Sequence, residues 1–490
     1  MLFNSYSFLL FFPLVSIIYF WIPRRIQRIW LLAASYFFYM CWDARYVFLL
    51  LFSTIVTYVS GLLINKYAGG VWRKSHYISK AAVSVSIVLN LGILFFFKYF
   101  DFAIQLINSV LDKLNFSISI SIPTFNVLLP VGISFYIFQS LSYTIDVYRH
   151  EIPAERDFLK YALFVSFFPQ LVAGPIERSK NLLQQINEEH VFVYENMRNG
   201  LLLMLWGYFL KLMIADRAAI FVDTVFENPD LYKGVFVIIA VILFAFQVYC
   251  DFAGYSLIAK GAAEVMGFRL MDNFCAPYFA ESIGEFWRRW HISLSSWFRD
   301  YLYIPLGGNR KGQVCKYRNL IFVFLASGLW HGASVTYAVW GLLHGIYQIV
   351  GDLKNKVCKR RTNRLNKCFR ILITFILVDF SWIFFRADTL EIACNMIHSV
   401  FRVHNLSILW DLSIYQLGLG KRDFLVLLIS IAILFFADMA KYKNIELRKI
   451  IVGRKLWCRW FIYYIALFSI LIFGIWGGQY DSAAFIYFQF

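Results

Sequence analysis

Two histidines lie inside sequence that is otherwise suited to hydrocarbon: His291, ending Phe286-Trp287-Arg288-Arg289-Trp290-His291, and His331, in Leu329-Trp330-His331-Gly332. A titratable ring near a bilayer interior must pack against protein or a wet cavity, so such groups are functional candidates. One chemistry such a ring could serve is acyl transfer from a thioester to a hydroxyl. That reaction needs a base that takes the hydroxyl proton and later returns it to the leaving thiolate, and an imidazole can do both near neutral pH. His331 is the stronger candidate, because its neighbour Gly332 would let an acyl chain or substrate backbone approach closely. His291 could position or polarise the same group from an adjacent element. The competing reading is that one or both rings are structural, buried and satisfied by hydrogen bonds.

The other candidates are weaker. His344 follows His331 in the same apolar run and would lie near the opposite end if that run were one helix, which favours a structural role. His76, His150, His190, His398 and His404 fall in polar loops or at span ends. His291, His331 and Asp251 could in principle converge on a metal. The chain has no HExxH motif and no i,i+4 histidine pair, and the three are far apart, so a metal site is not expected. Arg288, Arg289, Arg299 and Arg310 form the best cradle for a phosphorylated donor, since guanidinium groups offer forked, permanently charged donors. Contact with lipid headgroups is the simpler use of the same residues. The turn Pro305-Leu306-Gly307-Gly308-Asn309-Arg310 matches no phosphate-loop fingerprint.

The elements that must position these groups are membrane helices. With 60% hydrophobic and 20% aromatic residues over 490 positions and a mean hydropathy of +0.61, too little polar residue exists to cover a soluble globule. The reading is an all-α polytopic membrane protein forming a single integral domain over 1–490. A net charge of +17 could suggest nucleic acid, but the basic residues cluster in short loops between apolar runs, which points to a bilayer instead. The eight cysteines are scattered without a CxxC pair, so a disulfide framework is not expected.

Apolar runs around 5–22, 29–42, 46–64, 81–100, 127–147, 200–215, 234–250, 319–350, 369–387, 423–440 and 456–476 predict about eleven membrane segments. The run 161–176, interrupted by Pro169 and Gly174-Pro175, predicts a helix that enters and turns back inside protein. Segment 177–198 reads as a polar surface helix, and 269–318 as short helices at the cytoplasmic interface. Basic loops at Arg24 to Arg28, Lys66 to Lys80, Lys354 to Arg370 and Lys441 to Lys455 belong on the cytoplasmic side. Both termini, including the tail 477–490, are then expected outside. The first apolar run has no signal-peptide features and reads as retained.

Polar residues within apolar runs, namely Gln139, Asp146, Gln170, Lys211, Asp216, Gln247, Asp251 and Asp379, are costly unless paired and should line a tunnel or pair with Arg and Tyr. Asp251 with Tyr249, and Glu285 with Arg288 or Arg289, are the expected partners.

These residues also carry a resemblance. Pro130-Val131-Gly132-Ile133-Ser134-Phe135, Gln170-Leu171-Val172-Ala173-Gly174-Pro175-Ile176, Asp251-Phe252-Ala253-Gly254-Tyr255-Ser256, Phe286 to Ser293, Arg299 to Asn309 and Leu329 to Ala333 resemble the bacterial membrane-bound O-acyltransferase family. The similarity is densest over about 125–345, continues loosely to Trp382-Ile383-Phe384-Phe385-Arg386-Ala387, and is greatest to the branch that O-acetylates alginate and peptidoglycan. It implies tilted and re-entrant helices around a central funnel or tunnel, with His331 in the place of the catalytic histidine and His291 in the second active-site position. It implies acetyl-CoA, or a carrier-bound acetyl group, arriving from the cytoplasm as donor substrate, with no permanently bound cofactor. It further implies the inner membrane as location and a separate extracytoplasmic acetyltransferase as partner. The product is an O-acetylated exported or cell-surface polysaccharide.

The tail Phe485-Ile486-Tyr487-Phe488-Gln489-Phe490 resembles aromatic termini in the same branch, and Tyr487 is a candidate acyl relay at the outer mouth. An interfacial aromatic anchor is the alternative. Two rival functions remain at this level. One is D-alanyl transfer to teichoic acid, where a small partner would supply the aromatic tail that this chain already has. The other is a transporter without covalent chemistry, whose expected paired halves with broken helices are not visible.

Overall fold

A computed structural model describes residues 1–67, 73–114, 130–172, 174–357 and 364–476. Among them every regular element is a helix. Six helices are long and apolar enough to cross a membrane: Ala44–Tyr67, Ser75–Lys98, Val235–Val265, Leu365–Arg386, Lys421–Tyr442 and Leu456–Phe473. The protein is an all-α, multi-pass membrane protein. The other five predicted runs became shorter, more charged or broken helices, such as Tyr6–Trp21 with 16 residues and Arg24–Met40 with three arginines.

The chain forms two compact units, one of residues 1–201 with 259–271, the other of 202–258 with 272–490. In the first, helices Val47–Tyr67, Arg73–Lys98 and Ile133–Tyr148 pack together. Gly61 lets the Tyr143 ring lie against the helix, where an added Cβ would sit 2.7 Å from it. Several buried polar groups find partners inside the unit, as a medium without water favours: Ser53 Oγ donates to Asn90 Oδ1 at 2.6 Å and the Tyr161 hydroxyl to Thr57 Oγ1 at 2.7 Å.

The interrupted run after 158 is a nine-residue helix, Phe158–Ser166, then a single turn, Phe168–Leu171. The helix starts where Asp157 caps it and, at about 14 Å, is too short to span a bilayer. Its residues are buried, and Gln139 and Gln170 close the break by donating to the Phe164 carbonyl and pairing with each other at 2.7 Å. The polar segment that follows contains the helix Ser179–Asn187, with Leu182, Leu183 and Ile186 turned inward.

In the second unit, the apolar run 319–350 is two helices rather than one. Gly312–His331 and Val335–Val357 fold back on each other through a three-residue turn. They touch backbone to backbone: a Cβ on Gly328 would stand 2.2 Å from the Tyr337 carbonyl oxygen, and one on Gly341 2.2 Å from that of Phe324. Small residues at the crossing are what let membrane helices approach this closely.

A second device is electrostatic. Residues Phe209–Ala215 form a π-turn, and Lys211 within it places its ammonium 2.6 Å from Asp251 and 2.8 Å from Asp216, all three side chains nearly sealed from solvent. Asp251 was expected beside Tyr249. Two residues apart on a helix, they face different directions, and Tyr249 instead donates to Asp438 at 2.9 Å. The predicted Glu285–Arg289 pair is present at 2.9 Å.

The helix crossing generates a matched prediction. Gly328→Ala should lower the thermal midpoint of the detergent-solubilised protein by the equivalent of roughly 1–3 kcal/mol of overpacking. Gly351→Ala, on the same helix pair but with nothing within 4 Å of the new methyl, should leave it unchanged or raise it. Equal midpoints for the two variants would show that the close crossing carries no stability.

Candidate active site

His331 is the last residue of Gly312–His331. Gly332 leaves the helix in extended conformation, and Ser334 Oγ accepts from the Thr336 amide at 3.3 Å as the next helix begins. The ring of His331 is almost fully buried among Trp330, Trp340 and Phe385, whose ring centroids lie 4.9, 5.1 and 5.4 Å away. Gly332 was expected to leave room for substrate. The room is taken by Tyr337: a Cβ on Gly332 would stand 2.1 Å from that ring.

His291 sits in the joint between the short helices Ile283–Arg289 and Ile292–Phe298. The first of these is started by Ser282, whose hydroxyl accepts from the Glu285 amide, while Glu285 Oε2 accepts from the Glu281 amide. At the joint His291 takes a left-handed backbone with φ +40°, which a side chain adopts only when its surroundings hold it there. Its ring is fully buried, edge-on to Phe252 at 4.6 Å and near Trp330 at 5.9 Å. Burial pushes the His291 imidazole down to about 3, so the ring is neutral at physiological pH.

The two imidazoles come within 6.3 Å, centroid to centroid. That is too far for a direct hydrogen bond and close enough for one small group to reach both. Forty residues of sequence separate them, and the helix hairpin and the short-helix joint bring them together.

His344 belongs to the same aromatic cluster. Its Nδ1 accepts from the Trp287 indole at 3.2 Å, and its ring packs edge-on to Trp340 at 5.0 Å. The hydrogen-bond direction leaves the ring proton on Nε2. Trp290, Trp340 and Trp382 complete a wall behind the histidines, with Trp340 and Trp382 stacked at 5.7 Å. This wall was missed from sequence because Trp340 and Trp382 sit in ordinary apolar runs. The Phe286-to-Ser293 and Trp382-to-Ala387 similarities pointed toward two of its members, Trp290 and Trp382. Asn273, Ser256 and Ser293 form a hydrogen-bonded string next to His291; Ser256 and Ser293 lie at the ends of two of the similar runs, whereas Asn273 carried no sequence signal.

The four arginines are placed differently. Arg288 and Arg310 are exposed and form no ion pair among the described residues. Arg289 is engaged by Glu285, donates to the Cys275 carbonyl at 3.1 Å and stacks on Tyr442, and Arg299 pairs with Asp300 at 2.8 Å. Tyr487 and the rest of the tail 477–490 lie outside the described residues. Among the described residues no three His, Cys, Asp or Glu side chains are grouped to hold a metal ion, and Asp251 is committed to Lys211.

Comparison with known proteins places the chain in a family. The membrane-bound O-acyltransferase family model matches residues 149–387, which include both histidines and the aromatic wall. The probable alginate O-acetylase AlgI of Pseudomonas putida is 40% identical over 84% of this chain and 82% of its own length. The peptidoglycan O-acetyltransferase of Helicobacter pylori is 35% identical over 78% of this chain and 75% of its own. The teichoic acid D-alanyltransferase of Bacillus subtilis is 27% identical over 54% of this chain and 70% of its own. The paired histidines therefore stand in an acyltransferase, and the chain belongs to the membrane-bound O-acyltransferase family.

Proposed function

We propose that this protein moves acetyl groups from a cytoplasmic thioester donor across the inner membrane for O-acetylation of an exported or cell-surface polysaccharide, such as alginate or peptidoglycan. The observation that carries the reading is the meeting of two buried imidazoles inside a membrane acyltransferase. The greater identity and coverage of the O-acetylating relatives favour acetyl over D-alanyl transfer.

In this reading His331 accepts the proton of the acceptor hydroxyl as its oxygen attacks the thioester carbonyl. The tetrahedral intermediate collapses, the carbon–sulfur bond breaks, and the imidazolium returns the proton to the departing thiolate. A helix C-terminus carries partial negative charge, so the position of His331 favours the transient cation. His291, neutral and next to it, orients the reacting group. The aromatic wall keeps water from competing with the acceptor. Arg288 and Arg310, the two exposed arginines of the candidate cradle, contact the donor's phosphates, with Arg289 and Arg299 shaping that surface. An extracytoplasmic transferase receives the acetyl group. Both chain termini lie on that side, and Tyr487 relays the acetyl group on its phenol oxygen.

Replacing His331 with Ala should cut turnover of labelled acetyl-CoA by about 10²–10⁴-fold, with His291→Ala less severe. Wild-type turnover in His331→Ala would remove the enzyme reading and leave a passive conduit as the better account. The double substitution of Arg288 and Arg310 to Gln should raise KM for acetyl-CoA about tenfold with kcat preserved, because phosphate binding is uniform across the reaction; an unchanged KM would assign these residues to lipid. Tyr487→Phe keeps an aromatic anchor and removes the oxygen, so polysaccharide acetylation in cells should fall sharply, and undiminished acetylation would eliminate the relay.

A further inference from the structure

Behind His291 runs a string of buried side chains. Ser293 Oγ lies 3.5 Å from His291 Nδ1 and 2.6 Å from Asn273 Oδ1, and Asn273 Nδ2 donates to Ser256 Oγ at 2.9 Å. The orientation of the Asn273 amide decides what His291 can do. A backbone N–H can only donate, and that of Ser293 points at the same Asn273 atom at 3.4 Å, so that atom is the carbonyl oxygen. A carbonyl oxygen can only accept, so the Ser293 hydroxyl spends its hydrogen on Asn273. Toward His291 the hydroxyl then presents a lone pair, and the contact at Nδ1 requires the ring to donate there. The hydrogen of the neutral imidazole is thereby held on Nδ1, and Nε2 becomes the basic nitrogen.

Asn273 also holds the backbone of the joint. Its carbonyl accepts from the Ile292 amide at 2.9 Å, and two residues on, the Cys275 amide donates to the Arg289 carbonyl at 2.9 Å. The strand of chain at 273–275 therefore clamps both sides of the left-handed turn at His291.

We propose that Asn273 is a positioning residue for the acyl-transfer reaction: through Ser293 it fixes His291 as the Nδ1–H tautomer and directs Nε2 to the reacting group. The inference rests on the reading of His291 as an active-site residue. Ser293 donates to Asn273 and Asn273 donates to Ser256, and turning the Ser293 hydroxyl or the Asn273 amide around would put the wrong nitrogen of His291 forward.

The test uses the full-length protein in proteoliposomes, with kcat and KM for labelled acetyl-CoA and a thermal midpoint for each variant. Asn273→Ala and Ser293→Ala should lower kcat about 10–100-fold with KM within about twofold, as expected when a group that orients a catalytic imidazole is lost. Asn273→Asp still accepts from Ser293, and the Ser256 hydroxyl can turn to donate to its second oxygen, so kcat should stay within about fivefold of wild type. A purely structural asparagine would show the opposite order, since a buried charge destabilises more than a small cavity. Wild-type kcat in both alanine variants, or an Asp variant as impaired as Ala, overturns the proposal. If Asn273→Ala fails to fold, Ser293→Ala and Asn273→Asp decide it. His291→Ala separates the two levels: wild-type turnover there overturns the role of His291 and the proposal with it, whereas an inactive His291→Ala beside fully active Asn273→Ala and Ser293→Ala overturns the proposal alone.

Discussion

Where Gly328 and Gly341 meet, two helices lie against each other with no side chain between them, and the position of His331 follows from that contact. Lipid tails are as apolar as the helices themselves, so association depends on close packing and internal hydrogen bonds rather than on escape from water. A crossing this tight fixes the relative height of the two helices. It sets His331, three residues after Gly328, against Trp340, one residue before Gly341. Gly332 extends the same logic past the helix end by admitting the Tyr337 ring, which in turn contacts Phe385 at 5.1 Å. The imidazole is held by the shape of its surroundings.

The buried charges at Lys211, Asp216 and Asp251 meet the complementary requirement of having partners inside the protein. In a regular helix, residues five apart do not share a face, yet Lys211 and Asp216 pair at 2.8 Å. The widened π-turn between them makes that possible, and Asp251 completes the group from the helix Val235–Val265. Removing the lysine would leave two buried carboxylates without their cation, a change of the kind that costs about 3–5 kcal/mol. Next to Asp251, Phe252 packs on His291, and Ser256 receives the hydrogen bond from Asn273. One stretch of helix thus serves both the ion cluster and the histidine joint.

The sequence made the class of the fold plain, because composition and apolar runs leave no alternative to membrane helices. It also singled out both histidines by their placement. What it could not convey was the break after His331. The apolar run continues through Gly332 to Ser334, so nothing in hydropathy marks the turn, and only the capping role of Ser334 and the small residues at 328 and 341 hint at a hairpin. Asp251 was assigned the wrong partner for a related reason: proximity in sequence suggested Tyr249, whereas the actual cation is forty residues away on a turn whose geometry no periodicity announces. Asn273 was invisible because it is marked only by its bonds to Ile292 and Ser293, and a lone asparagine in a mixed segment has no distinguishing pattern.

Fifteen tryptophans are spread along the chain, and five of them, Trp287, Trp290, Trp330, Trp340 and Trp382, converge on the three buried histidines. Rigid indoles in asymmetric contact dominate near-ultraviolet circular dichroism, and their emission responds to charge a few ångströms away. The protein therefore carries its own optical label around the paired histidines, and a ligand entering that cluster can be followed without attaching a dye.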